Sequence, residues 1–286
     1  MRDHASYDSV VFAGGGNRCI WQAGFWEVAA EPLGLSPRVV AGASAGATMA
    51  VMVFSGVAAK SLATLQRVLS GNTKNAYLGN LFKGRPVFPH VALFTRAMKA
   101  SMDQADLERL RQGPELRVLL SRPPAWTGAT GGVLLGFLCY LAEKYLTAPL
   151  HPKLPGKVGF RPEVVRVDTC RNIDEVIDLL LATSCTPPVV PVVYRDGAPV
   201  LDGGLIDNAP VAAIRPGEAP TLVLLTRRYP PAKLQGHPGR TYIQPSRPVG
   251  ISKWDYTNPQ GMQEAFDLGR RDAECFIAGG PAALQV

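Results

Sequence analysis

Early in the chain one arrangement occurs twice: a short apolar run, a glycine-rich turn, then a helical stretch. Ser9 to Ala13 (SVVFA) reads as a buried strand that enters Gly14, Gly15 and Gly16, with a helix from about Ile20 to Ala30. Arg38 to Ala41 (RVVA) reads as a second strand that enters Gly42-Ala43-Ser44-Ala45-Gly46, with a helix of small residues reaching about Ser55. Two strand–turn–helix units in succession imply parallel strands joined by right-handed crossovers. That restricts the chain to a layered α/β fold with helices against a sheet.

The remainder fits this plan. Leu116 to Leu120, Val164 to Val167, Val189 to Tyr194 and Thr221 to Leu225 are apolar or β-branched runs expected to be strands. Ile173 to Thr183 has helical spacing, and Gln260 to Ile277 closes the chain as an amphipathic helix. Residues 71–113 read as loop and helix beside the sheet. Residues 146–162 and 227–248, rich in Pro, Gly and basic residues, read as surface loops. With 286 residues, 47% hydrophobic and 19% charged, the chain has apolar material for one large core and too little charge for disorder. One domain over 1–286 is expected, its motif-bearing part about 8–213 and a C-terminal strand and helix about 220–280.

Thirty basic and 23 acidic residues give a net charge of +7. The excess is spread along the chain and favours solubility, with attraction to anionic membranes as the alternative; no nucleic-acid partner is expected. Cys19, Cys139, Cys170, Cys185 and Cys275 are odd in number and widely spaced, without a C-x-x-C pair, which argues against a disulfide framework or a zinc site. The cysteines fit a reducing compartment, and Met1 to His4 do not begin a signal-peptide pattern, so a cytoplasmic location is expected, with peripheral membrane contact. Gly128 to Ala142 (GATGGVLLGFLCYLA) is shorter than the roughly 20 residues a spanning helix needs. It reads as a buried or partly exposed helix, or as one that binds an acyl chain or touches an interface.

Three motifs carry chemistry. Gly42-x-Ser44-x-Gly46 between strand and helix forms a sharp turn that lifts a serine hydroxyl out of the sheet, with helix N–H groups aimed where negative charge develops. Gly14-Gly15-Gly16-Asn17-Arg18 exposes backbone N–H groups able to hold an anion, and Arg18 adds positive charge. A dinucleotide fingerprint would need a third glycine where Cys19 stands. Asp202-Gly203-Gly204 ends a β-like run and points a carboxylate toward a cleft; burial beside Ser44 would raise its pKa and make it a better base. Asp207 and Asn208, just beyond, read as structural. A triad would need a histidine. Of His4, His90, His151 and His237, only His237 follows Asp202 in the order Ser…Asp…His, so a Ser44–Asp202–His237 esterase is the alternative.

The ordered set resembles the patatin-like phospholipases, which carry a G-G-G-x-[RK]-G loop, an early G-x-S-x-G turn and a later D-G-[GA] motif. Ala182 to Pro191 (ATSCTPPVVP) is similar to a further segment of that family. The resemblance implies a patatin-like three-layer α/β fold and a lipid acyl hydrolase of the phospholipase A or lipase type. It implies a Ser44–Asp202 dyad, with Gly15, Gly16 and Ala45 holding the oxyanion, Gly14, Asn17 and Arg18 alongside, and Gly42, Gly46, Gly203 and Gly204 as motif glycines. Phospholipids or other acyl esters are the implied substrates; no metal or organic cofactor is implied. Cys19 stands where that family has glycine, which bears on loop packing. Val190 stands where it has an aromatic, which bears on the acyl pocket. A non-catalytic lipid- or protein-binding member is the remaining alternative.

Overall fold

The computed structural model describes residues 7–280 and Leu284; Met1 to His4 lie outside the described residues. Its strands are β1 (Ser9–Phe12), β2 (Val39–Ala43), β3 (Glu115–Arg122), β4 (Arg161–Arg166), β5 (Val193–Arg195), β6 (Ala198–Asp202), β7 (Thr221–Leu224) and β8 (Arg240–Ile243). The helices of the N-terminal half are α1 (Ile20–Ala29), α2 (Ala45–Phe54), α3 (Ala58–Leu69), α4 (His90–Ser101), α5 (Gln104–Gln112) and α6 (Gly128–Leu146). Then come α7 (Leu154–Lys157), α8 (Ile173–Thr183), α9 (Gly204–Asp207), α10 (Pro231–Leu234) and α11 (Pro259–Gly279).

The strands β8, β7, β1, β2 and β3 run parallel in that spatial order, and β4, β5 and β6 complete the sheet antiparallel. This is the mostly parallel α/β sheet expected. Successive strand residues point to opposite faces. Val10 and Phe12 enter the larger core with Trp21, Phe25, Met98, Leu180 and Phe266. Val11 and Ala13 enter a thinner core with Ala209, Val211, Tyr229 and Tyr242.

Most of the long helices cover the face of Val10 and Phe12, and the other face is covered by short helices, loops and the 19-residue α6, which packs on Leu201. On the helical face α1 and α11 cross with backbones nearly touching: a Cβ on Gly24 would lie 2.0 Å from Phe266 O, and one on Gly269 2.1 Å from Trp21 O. The indole of Trp21 donates to Asp272 Oδ2 at 2.7 Å and seals the pair.

The register on β3 sets up the site. β2 pairs with β3 over residues 115–119, and β6 pairs with Leu120 and Ser121. Across Arg117–Arg122 the opposite edge of β3 is taken by β4, so β2 and β6 share one edge. They approach from opposite directions, and their C-terminal ends, Ala43 and Asp202, abut neighbouring residues Leu119 and Leu120.

Four segments differ from the sequence reading. Of Val189 to Tyr194 only the last two residues belong to a strand, because Pro187, Pro188 and Pro191 lack the N–H a ladder needs. The 227–248 stretch is not all loop: Arg240–Ile243 forms the edge strand β8, and the 146–162 stretch contains α7. The apolar helix runs to Leu146, four residues beyond Ala142. Its buried residues Gly132, Gly136 and Cys139 follow helical spacing, with Gly132 over Pro123 and Gly136 over Phe160, Leu201 and Leu205. Leu134 and Phe137, 59% and 55% exposed, face away with Leu138 and Tyr145.

Candidate active site

Ser44 sits at the joint between β2 and α2 with φ 54° and ψ −138°. A residue with a side chain rarely adopts that backbone, which costs on the order of 1–3 kcal/mol. It is held from several sides. Thr183 Oγ1 accepts from Ser44 N at 3.0 Å and itself donates to Leu119 O at 2.5 Å. Gly42 and Gly46 allow close packing: a Cβ on Gly42 would lie 2.5 Å from Ala47 Cα, and one on Gly46 2.3 Å from Phe12 O. The serine is buried, 8% exposed, and stands at the N-terminus of a ten-residue helix.

Asp202 reaches it from β6. Ser44 Oγ donates to Asp202 Oδ2 at 2.8 Å, across 158 residues of sequence. Thr186 Oγ1 donates to the same oxygen at 3.2 Å, and Gly204 N donates to Oδ1 at 2.7 Å. A Cβ on Gly203 would lie 2.0 Å from Leu119 O, so only glycine lets the chain turn here against β3. Burial pushes the Asp202 carboxyl above the ordinary aspartate range; the bonds from Ser44 and Gly204, the charge of Lys253 and the bond from Thr186 pull it back. A carboxylate with few water partners, touching a serine hydroxyl, is a base able to take that proton.

The glycine-rich loop runs alongside. Gly14 N donates to Asn208 O at 2.7 Å, and Gly14 O accepts from Asn208 Nδ2 and Thr226 Oγ1. The Gly14 N–H is thus committed to the scaffold. Asn17 is committed too, its Nδ2 donating to Asp255 O at 2.6 Å. Gly16 has φ +60°, and a Cβ there would lie 2.3 Å from Lys253 O. Among the described residues, the N–H groups of Gly15, Gly16 and Ala45 have no acceptor. Unengaged N–H donors beside a serine hydroxyl are what a developing oxyanion requires. Arg18 is half-buried, its Nε 3.5 Å from Gly15 O. Cys19 is fully buried with Sγ donating to Ala13 O at 3.4 Å, so the loop closes around a thiol.

From Ser44 an apolar cleft of about 760 Å³, including its open mouth, extends between α2, α4 and the 254–256 segment. Met49, Met52, Leu93, Phe94, Met98 and Trp254 line it. His90 is in its wall, buried and pushed down to about 4, and so neutral near pH 7. Val190 belongs elsewhere: it packs with Phe160, Cys185 and Leu201 under α6, so the expectation that it shapes the acyl pocket is corrected.

His237 is not brought to the serine. Its Nε2 lies 3.3 Å from Lys233 O, and its ring packs on His151 and Tyr242. His151 in turn bonds Asp207 Oδ1 at 2.8 Å and Tyr242 OH at 2.9 Å. The triad alternative fails because the 227–248 segment docks His237 on this second cluster, and no histidine bonds Ser44 or Asp202 among the described residues. Nor does any group of three or more His, Cys, Asp or Glu gather there as a metal ion would need.

Sequence reasoning did not find Thr183 as the clamp on Ser44, Thr186 as a donor to Asp202, or Lys253 as the nearby charge. Thr183 and Thr186 lie in the ATSCTPPVVP stretch, where their hydroxyls were the available signal. Lys253, in an irregular segment, had none.

A family model described as patatin-like phospholipase matches residues 10–214. No curated protein matches the chain. VipD and a human phospholipase are among the solved structures similar to it. VipD from Legionella pneumophila has a TM-score of 0.44 at 12% identity, the match covering 96% of this chain and 67% of that one. Human GIVD cytosolic phospholipase A2 has a TM-score of 0.47 at 12% identity, covering 100% of this chain and 63% of that one. The chain thus spans about two thirds of the length of each.

Proposed function

The chain belongs to the patatin-like phospholipase family, a family of serine-type lipid acyl hydrolases, and on that premise we propose that Ser44 and Asp202 are its catalytic dyad. The observation that carries this reading is the 2.8 Å bond from Ser44 Oγ to Asp202 Oδ2 at the head of the apolar cleft. Ser44 Oγ attacks the ester carbonyl carbon while its proton passes to Asp202. The carbonyl oxygen takes the negative charge against the N–H groups of Gly15, Gly16 and Ala45. Collapse breaks the bond to the alcohol, which leaves with the proton from Asp202, and the acyl group stays on Ser44. Water then attacks the acyl-enzyme, gives a proton to Asp202, and releases the fatty acid as the proton returns to Ser44.

The substrates we propose are phospholipids or other acyl lipids, with the acyl chain in the cleft lined by Met49, Leu93 and Phe94. Peripheral contact with a membrane is supported by the outward apolar face of α6, where Leu134, Phe137 and Leu138 are exposed. Five unpaired cysteines support a reducing compartment, the cytoplasm.

The test is fluorophosphonate labelling and p-nitrophenyl ester turnover for wild type, Ser44→Ala, Asp202→Asn and His237→Ala. Loss of labelling with Ser44, loss of turnover with Asp202, and survival of turnover without His237 are expected. A His237→Ala protein as dead as Ser44→Ala would overturn the dyad, and a wild type that neither labels nor turns over would overturn catalysis by this site.

A further inference from the structure

The glycine-rich loop divides two cavities of opposite character. Gly16 and Ser44 border the apolar cleft. Gly14 and Gly204 border a second pocket, walled by Arg18, Lys144, Arg227 and Lys253. Arg18 and Lys253 are half-buried, while Arg227 and Lys144 reach in from the exposed rim.

Among the described residues none of these four cations forms an ion pair. The contacts they make are to neutral groups, with Arg227 also over the Tyr229 ring at 4.7 Å and Lys144 over the Tyr145 ring at 4.9 Å. Arg227 Nε donates to Tyr229 OH at 2.6 Å, and the Lys144 and Lys253 ammonium groups lie 5.9 and 6.0 Å from the Tyr140 ring centre. Glu143 is the acid in the wall, and its Oε1 already accepts from Lys153 N and Leu154 N, each at 2.7 Å. Asp202 attracts Lys253, but its oxygens are engaged by Ser44, Thr186 and Gly204.

Holding like charges together away from water is costly. Burial, and then repulsion from the other cations, pulls the Lys253 ammonium below the ordinary lysine range; burial does the same to Arg18, with Arg227 adding to it. An anion among them relieves both desolvation and repulsion. The arginines can grip it with forked N–H pairs and the lysines with point charges, the combination suited to a phosphate.

We propose that this pocket is an anion subsite that takes the phosphate of a phospholipid headgroup while the acyl chain lies in the cleft across the glycine-rich loop. The proposal rests on the lipid acyl hydrolase reading above and deepens it. In a glycerophospholipid the phosphate and the acyl chain leave the scissile ester on opposite sides and a few bonds apart. A serine with an apolar cleft on one side and a cationic pocket on the other matches that polarity; a neutral glyceride would leave the cations without a partner. The tyrosine ring and Lys144 come from α6, so the helix proposed to meet the membrane also walls the headgroup pocket.

The test uses equilibrium binding to the Ser44→Ala protein, so it reads out whether or not the wild type hydrolyses any ester. Calorimetry compares dihexanoyl phosphatidylglycerol, dihexanoylglycerol and inorganic phosphate, with and without Arg227→Gln and Lys253→Met; Arg18 is left alone because its backbone belongs to the glycine-rich loop. Thermal melts confirm folding of each variant, and either single substitution replaces the pair if the pair does not fold. The phosphate-bearing lipid is expected to bind at least about tenfold more tightly than the glyceride, and the substitutions are expected to abolish that difference. Equal binding of the two lipids, or a preference that survives the substitutions, overturns the proposal. So does inorganic phosphate binding that depends on Arg227 and Lys253 while the two lipids bind alike, which would assign the pocket to free phosphate.

Discussion

Thr183 and Ser44 are joined by a bond that fixes the proposed nucleophile from behind: Thr183 Oγ1 accepts the Ser44 N–H at 3.0 Å and donates its own O–H to Leu119 O at 2.5 Å. The link ties the end of α8 to the strained turn and to the strand on which β2 and β6 meet. Thr183→Val keeps the shape and removes both bonds, leaving a buried N–H and a carbonyl unpaired. A loss of about 1–3 kcal/mol in urea unfolding is expected, with kcat falling more than KM rises because the serine loses its aim. Unchanged stability together with unchanged kcat would show that the turn holds itself.

Much of this was legible in the sequence because the motifs are local. Gly14 to Arg18 and Gly42 to Gly46 each carry their strand, turn and helix within a few residues, so periodicity and glycine placement expose them. Asp202 was legible as a strand-end carboxylate, but its distance from Ser44 was not. That distance depends on β2 and β6 ending head to head on β3, a tertiary register with no sequence signal. The edge strand β8 was hidden because a four-residue strand among Pro, Gly and basic residues has the composition of a loop. The cations of the second pocket come from four separated segments, and only folding gathers them.

The Asp202 carboxyl gives the site a pH signature. Burial raises it above the ordinary aspartate value of about 3.9, and in its proposed role as base it works only when ionised. The acidic limb of kcat/KM should therefore lie above that of an unperturbed aspartate. Lys253→Met removes a charge that favours the ionised form, so the limb should move to still higher pH. For stability the sign is opposite to that of a salt-bridged carboxylate. The folded protein holds this proton more tightly than the unfolded chain, so stability is lost as pH rises from about 4 through the raised value. Asp202→Asn should then melt above wild type at neutral pH, with the gap closing below about pH 4. A gap that stays constant with pH, or an acidic limb indifferent to Lys253, would contradict the assignment.

Glycine at 203 is a matter of space. A Cβ there would meet Leu119 O at 2.0 Å, with backbone on both sides and no side chain to swing away. Gly203→Ala should push the end of β6 off β3, costing about 3 kcal/mol or more and lowering kcat/KM on the order of a hundredfold as Asp202 drifts from Ser44. Gly71→Ala, with nothing within 4 Å of the added carbon, should stay within about 0.5 kcal/mol of wild type. Comparable losses at both positions would mean that generic glycine entropy, not the contact with Leu119, sets the effect.

The outward face of α6 makes the last prediction. Gly132, Gly136 and Cys139 hold the helix to the body of the protein, and Leu134, Phe137, Leu138 and Tyr145 are left toward solvent. Residues 125–146 are also, among the described residues, the one helix long and apolar enough by length and composition to cross a membrane. Docked against Phe160, Leu201 and Leu205, it can lie in a lipid surface without leaving the fold. Each large apolar side chain that enters the interface contributes at most about 1.5–3 kcal/mol, and a charge in its place reverses that gain. Leu134→Asp with Phe137→Asp is expected to weaken sedimentation with anionic vesicles by about tenfold or more. Turnover of vesicle lipid should fall more steeply than turnover of a soluble p-nitrophenyl ester, because the defect lies in reaching the surface rather than in Ser44. Binding that is unaffected by the two aspartates but lost in high salt would instead place the contact on the basic residues, with α6 turned away from the lipid.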